Sequence, residues 1–447
     1  MGDLLISLLA FIVAISVLVA VHEYGHYIVG RWTGMKVLRF SIGFGKPIVS
    51  WVRGKDRTEY CLSAIPLGGY VRFLDGREGP VSPEDQGRAF DHRPVAARIA
   101  VLLAGPAFNF LFAILAYWVI FASGVPTLLP AVGEVAPGSH AARAGLQTGD
   151  RILAVGNANT GDWETALVGM LDQMISGGDI TLTLRNDAGV QRSATLVVGS
   201  DAARLTEPGM LFDGLGFVPW QPPAVIANVT PGGAASEVDL VAGDRVIAVA
   251  GSPVRTADDL IREVSSRPGE TVALQYYRDQ ELRDVDITIR AETTQQGVIG
   301  RIGVAVSSDY GDLAYLRKFG PLAAVSESVE KTWATMTFTV RMLGRMVTGD
   351  VSLRNISGPI KIAEYAGDSA ARGSREFLTF LALVSISLGI LNLLPVPVLD
   401  GGQIVFQTVE LLKGSPVSER SQILGQQFGI VALILLMSFA FYNDLTG

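Results

Sequence analysis

The chain has 447 residues, 49% of them hydrophobic and only 18% charged, with a formal net charge of −7. That charge argues against nucleic acid as a partner, and a single cysteine, Cys61, excludes a disulfide framework and a cysteine metal site. The length allows several domains, and so apolar a composition fits a chain partly embedded in a membrane.

The first predicted element is a membrane span over Leu4–Ile28, within a first segment 1–30. Residues 4 to 21 carry no charge, a run long enough for hydrocarbon. It lacks a basic leading segment and a small-residue cleavage site, so it reads as a retained helix rather than a signal peptide. It runs into His22-Glu23-Tyr24-Gly25-His26. On a helix, H-E-x-x-H puts two imidazoles one turn apart on one face, where both can hold one zinc. The Glu between them can take a proton from water. Only four histidines exist in the chain, and two fall in this spacing. The motif also arises by chance in soluble helices, but such groups in hydrocarbon are costly enough to default to function. At 1.5 Å per residue His22 lies about 27 Å and His26 about 33 Å from Leu4. The hydrocarbon core is about 30 Å thick, so the motif sits near one membrane edge.

Residues 31–97 read as a β region with strands at Val37–Ile42, Pro47–Val52, Tyr60–Ile65 and Tyr70–Phe73. Gly43-Phe44-Gly45 and Pro66-Leu67-Gly68-Gly69 punctuate them. A sheet edge beside the zinc motif gives the freed amides of an unwinding substrate helix new partners. A cytoplasmic hairpin without substrate contact is the competing reading. The second span, 98–121, offers no metal ligand. Its Ala104-Gly105-Pro106 allows close helix packing, and Asn109 reads as an interhelix hydrogen bond rather than a support for the metal.

Two copies of one unit follow. Val135-Ala-Pro-Gly-Ser-His-Ala-Ala matches Val229-Thr-Pro-Gly-Gly-Ala-Ala-Ser, and Gly149-Asp150-Arg151-Ile152 matches Gly243-Asp244-Arg245-Val246, at the same offset. So long a period in two copies means tandem domains rather than a solenoid. They resemble PDZ domains, over 127–220 and 221–310. Gly214-Leu215-Gly216-Phe217 reproduces that family's carboxylate-binding loop. The second copy has Arg301-Ile302-Gly303-Val304 there, a departure from the pattern. Such a groove takes an extended peptide by strand addition; domains that only gate access are the alternative.

In 317–349 Leu322, Val325, Val329, Trp333, Met336, Val340, Leu343 and Val347 recur at spacings of three and four, which predicts an amphipathic helix. The third span, Phe377–Leu394, belongs to a segment 377–400 that ends in Asn392-Leu-Leu-Pro-Val-Pro-Val-Leu-Asp400. Asp400 reaches the depth of His22 and His26 and is the natural third ligand, leaving a fourth position open for water. A fourth span covers 423–441. Lys and Arg crowd 31–97 and the loop after the third span and are absent from both terminal tails. The positive-inside rule then puts both termini and the repeats outside the cytoplasm.

Together these residues resemble the site-2 protease family of intramembrane zinc metalloproteases, most closely its bacterial members with tandem PDZ domains. The resemblance covers nearly the whole chain. It implies His22, His26 and Asp400 as ligands of one Zn2+ per chain, Glu23 as general base and Asn392 as a substrate-holding residue. It also implies a membrane-reentrant β loop around Gly43, Phe44 and Gly45, and PDZ grooves at Gly214, Leu215, Gly216, Phe217 and at Ile302, Gly303, Val304. The implied setting is the bacterial inner membrane. The implied partners are the lipid bilayer, the transmembrane helix of a substrate such as an anti-sigma factor already cut outside, and signal-peptide remnants. The expected fold is a polytopic α-helical membrane protein with four transmembrane helices, a small membrane-associated β-sheet and two extracytoplasmic PDZ domains of α+β type. Two rivals remain: a PDZ-bearing membrane scaffold with a structural metal site, and a zinc transporter. A transporter shows repeated spans and several intramembrane ligands, and a scaffold has no use for Glu23.

Overall fold

The computed structural model describes residues 2–207, 209–294, 297–307, 309–349, 351–352, 354 and 356–446. They form two compact units, Met1–Val125 with Thr206–Pro208 and Arg317–Gly447, and Pro126–Leu205 with Gly209–Leu316.

The first unit contains helices α1 (Gly2–Trp32), α2 (Val95–Ser123), α3 (Pro321–Thr348), α4 (Pro359–Arg372), α5 (Ser374–Asn392), α6 (Asp400–Lys413) and α7 (Glu419–Thr446). Among the described residues four stretches are long and apolar enough to cross a membrane: Leu5–Trp32, Val95–Ser123, Ser374–Asn392 and Arg420–Leu445. Leu9, Leu111, Leu115 and Leu435 on them are more than half exposed, as side chains facing lipid rather than protein would be. The inward faces pack on small residues. Ala113, Ala116 and Tyr117 of α2 meet Ala382, Ile386 and Ile390 of α5, and Ala14 and Leu18 of α1 meet Leu381. A Cβ on Gly25 would stand 2.4 Å from the Ala104 carbonyl oxygen, so α1 and α2 cross backbone to backbone at the zinc motif.

The β region consists of β1 (Val37–Arg53) and β2 (Thr58–Phe73), each bent on itself. Phe40 pairs with both Val71 and Tyr60, and Ser41 with both Tyr70 and Cys61, while Ser50 also pairs with Cys61. The segments therefore lie side by side in the order 69–73, 37–44, 58–65, 47–53. The bends fall at Gly43 (φ 90°), Gly45 (φ 85°) and Gly68 (φ 135°), backbone conformations that only glycine adopts cheaply. Segment 69–73 is an edge with no strand beyond it among the described residues.

The segment 377–400 is not one helix: α5 stops at Asn392, two residues before the expected Leu394, and Asp400 is the first residue of α6. Pro395 and Pro397 lack the N–H groups that would continue the helix, so the chain turns and restarts.

In the second unit the copies share a plan. Each has a four-stranded antiparallel sheet, in the order 158–159, 151–155, 180–185, 191–196 in one and 252–253, 245–249, 271–278, 281–288 in the other. Each adds a short pair, Val132–Val135 with Phe217–Pro219 and Ile226–Val229 with Val304–Val306. One helix per copy closes the core, Trp163–Gly177 capped by Asp162 and Ala257–Ser265 opened by a capping box of Thr256 and Asp259. Asp244 is fully buried and takes two bonds from Arg278, at 2.7 and 2.6 Å. Burial pushes its carboxyl up, but the Arg278 guanidinium and the Val241 N–H win and hold it below the usual carboxylate range. In the first copy Arg192, from the next strand over, pairs with the buried Asp150.

Candidate metal centre

Residues four apart on a helix share a face, and α1 presents His22 and His26 together, both buried. Their Nε2 atoms stand 3.2 Å apart. Asp400 reaches in from α6 with Oδ2 3.1 Å from His22 Nε2 and 3.5 Å from His26 Nε2. These three side chains form a group able to hold a metal ion. A tetrahedral centre with bonds of about 2.1 Å spaces its ligands roughly 3.4 Å apart, close to the spacing seen here. Asp400 Oδ2 is buried yet accepts no hydrogen bond, a costly state unless a cation completes it.

The outer nitrogens agree. His26 Nδ1 donates to the Val101 carbonyl, 2.7 Å away, which leaves Nε2 with its lone pair free. His22 Nδ1 lies 3.1 Å from the Asn109 amide, whose Oδ1 is buried without a partner. A ligating Nε2 puts the proton on Nδ1; Asn109 turned end for end then offers its oxygen to that N–H. Asn109 therefore supports a candidate ligand and is more than an interhelix tie. Gly105 lies between the two histidines, where a Cβ would come within 2.4 Å of His26 Nε2 and 2.7 Å of His22 Nε2. Sequence reasoning missed Asn109 and Gly105 in these roles. Their signal is the i, i+4 spacing on a helix without ligands of its own.

Glu23 points beside this group into a cavity of about 750 Å³. The same cavity is lined by Asn392, Phe44 and the edge segment from Gly69 to Phe73. Val71 lines this cavity with Glu23, and a Cβ on Gly69 would stand 3.1 Å from Glu23 Cγ. The sheet edge thus touches the motif. Gly43 and Gly45 flank Phe44 at the bend and do not line the cavity. Phe44 stacks on Tyr70 at 6.3 Å between ring centres.

The residues expected to form carboxylate loops fall elsewhere, in the second unit. Gly214 and Leu215 end a short helix, Met210–Leu215; Leu215 and Phe217 are core residues; and the Gly216 N–H is spent on the Phe212 carbonyl at 2.8 Å. One N–H of that loop is thus taken by its own helix, which the literal G-L-G-F match did not foretell. Ile302, Gly303 and Val304 line a cavity of about 390 Å³ beside helix Ala257–Ser265.

The model of peptidase family M50 matches residues 10–436. The regulator of sigma-E protease RseP of Escherichia coli (strain K12) is 41% identical over 443 residues, covering 98% of each chain. A Neisseria meningitidis protein that bears a zinc-metalloprotease name is 41% identical over 449 residues, covering 98% of this chain and 99% of its own. The protease RseP of Yersinia pestis is 39% identical over 461 residues, covering 99% of both. With the geometry of the three donors beside Glu23, these likenesses give the assignment: the chain belongs to peptidase family M50, the site-2 proteases, and is an intramembrane zinc metalloprotease.

Proposed function

We propose that His22, His26 and Asp400 hold the zinc and that Glu23 is the general base for cutting single-span membrane proteins within their spans. The observation that carries this reading is the convergence of three metal donors beside Glu23, in a cavity walled by an unpaired sheet edge. Bound zinc supplies a Lewis acid that polarises the scissile carbonyl and acidifies water to a pKa of about 7. Glu23 accepts the proton of the attacking water and returns it to the leaving amine. Asn392, at the end of α5 and on the same cavity, orients the substrate carbonyl. A helical substrate must unwind before its peptide bonds are exposed. Segment 69–73 receives the unwound strand by backbone pairing, which sets the scissile bond next to Glu23.

The protein resides in the bacterial inner membrane with both termini and the repeats outside the cytoplasm. Its substrates are anti-sigma factors trimmed by a first outside cut, and signal-peptide remnants; a tie to sigma-factor control is in keeping with relatives that bear the name regulator of sigma-E protease. The two repeats are PDZ domains that act as a size filter: a trimmed stub is admitted and a bulky outer domain is not. Capture of the new C-terminus is the rival; the Gly216 N–H, already given to the Phe212 carbonyl, speaks against it in the first copy.

The test is co-reconstitution of purified protein with a single-span substrate, in trimmed and untrimmed form, and mass spectrometry of the products. The expected cut lies inside the apolar span, with the trimmed form cleaved at least about tenfold faster, roughly 1.4 kcal/mol of discrimination. Cuts confined to flanking soluble segments would remove the intramembrane site from the account. Equal rates for both forms would remove the filter.

A further inference from the structure

Three helices meet at the candidate metal centre, and α2 is the one that contributes no donor. Its contacts fall on one face, at positions 98, 101, 105 and 109, the three- and four-residue steps of a helical stripe. Val101 and Asn109 fix the outer nitrogens of His26 and His22, and Gly105 makes room for both rings. Arg98 lies one turn before Val101. It is buried, and it forks onto Glu410 of α6, with Nη2 2.6 Å from Oε1 and Nη1 3.1 Å from Oε2. The Arg93 carbonyl, 3.1 Å from Arg98 Nε, holds the guanidinium in place.

Glu410 sits on the helix that starts with Asp400. The turn before that helix is locked to it. A Cβ on Gly401 would stand 2.2 Å from the Leu393 carbonyl oxygen, and one on Gly402 2.2 Å from that of Val396. Gln403 Nε2 donates to the Pro397 carbonyl at 2.9 Å. The turn and α6 therefore move as one piece, with Asp400 at one end and Glu410 about 15 Å along it at 1.5 Å per residue. A tilt of about 5° about the Glu410 end shifts Asp400 by roughly 1 Å, whereas metal–ligand distances hold within about 0.2 Å.

We propose that Arg98 and Glu410 are positioning residues: their pair clamps α6 to α2, the helix that orients both histidines, and so sets the place of the Asp400 carboxylate in the metal centre. Neither side chain is a metal ligand or lines the cavity at Glu23. The bidentate fork suits the role, because two parallel bonds fix direction as well as distance. The inference rests on Asp400 being a ligand.

The test is zinc affinity of the purified full-length protein, measured by competition with a chelator, alongside kcat and KM. Glu410→Gln keeps the shape and removes the charge. Its zinc should dissociate about tenfold more readily, at the low end for a group that orients a ligand, and kcat should fall with KM unchanged. Arg98→Lys keeps the charge and loses the fork; it should show the same change and serves if Glu410→Gln does not fold. A folded Glu410→Gln or Arg98→Lys with wild-type zinc affinity overturns the proposal, whatever its melting temperature. Asp400→Ala is measured in parallel. Wild-type affinity there would sink the ligand assignment itself, whereas loss in Asp400→Ala with none in Glu410→Gln would sink only the clamp.

Discussion

Glu23→Gln should retain its zinc and lose peptide cleavage by roughly 1,000-fold, within the range a positioned general base contributes. The amide has nearly the shape of the carboxylate, so the fold of the cavity should survive. It cannot take up a proton at neutral pH, so attack by water loses its base and the leaving amine its acid. Zinc should stay because the three converging donors are His22, His26 and Asp400. The readout is metal content and product formation on the same preparation. Cleavage within tenfold of wild type would exclude Glu23 as the base. Loss of zinc together with activity would make Glu23 part of the metal site instead.

Gly105→Ala should cost at least about tenfold in zinc occupancy, and activity with it. The added methyl would stand 2.4 Å from His26 Nε2 and 2.7 Å from His22 Nε2 and Cε1, well inside van der Waals contact. The rings cannot simply swing away, because Val101 and Asn109 hold their outer nitrogens. The helix cannot back off without opening the contact of Gly25 on the Ala104 carbonyl. Gly344→Ala, in a helical position with nothing within 4 Å of the added carbon, should change neither zinc nor activity and controls for a generic glycine effect. Full zinc in Gly105→Ala would mean that α2 is looser than this packing requires.

Much of this site is legible in the sequence because its strongest signals are local. H-E-x-x-H needs only the helical period to bring His22 and His26 together, and an uncharged run of residues announces the span that carries them. Asp400 is reachable by depth on the expectation that two spans enter from one side, although α5 ends at Asn392 and Asp400 starts the next helix. The β region is readable at its bends, where Gly43, Gly45 and Gly68 take positive φ, but its strand order is not. Phe40 pairs on both edges, and pairing of distant segments leaves no periodic mark in a single chain. The roles of Asn109, Gly105 and Arg98 at the site are not legible for a related reason. Each acts across a helix crossing, and Arg98 meets a partner 312 positions away. In the first repeat, Gly214-Leu215-Gly216-Phe217 reads as an open loop, yet a helix just before it uses the Gly216 N–H. A motif reports the residues a loop needs and not whether the neighbouring chain has already filled it.

X-ray absorption at the zinc edge of the purified wild-type protein tests the metal centre most directly. The account predicts one zinc per chain with two imidazole nitrogens and oxygen ligands only, at about 2.0–2.2 Å. A sulfur scatterer at about 2.3 Å, which only Cys61 or a methionine could supply, or a shell with fewer than two imidazoles, would contradict it.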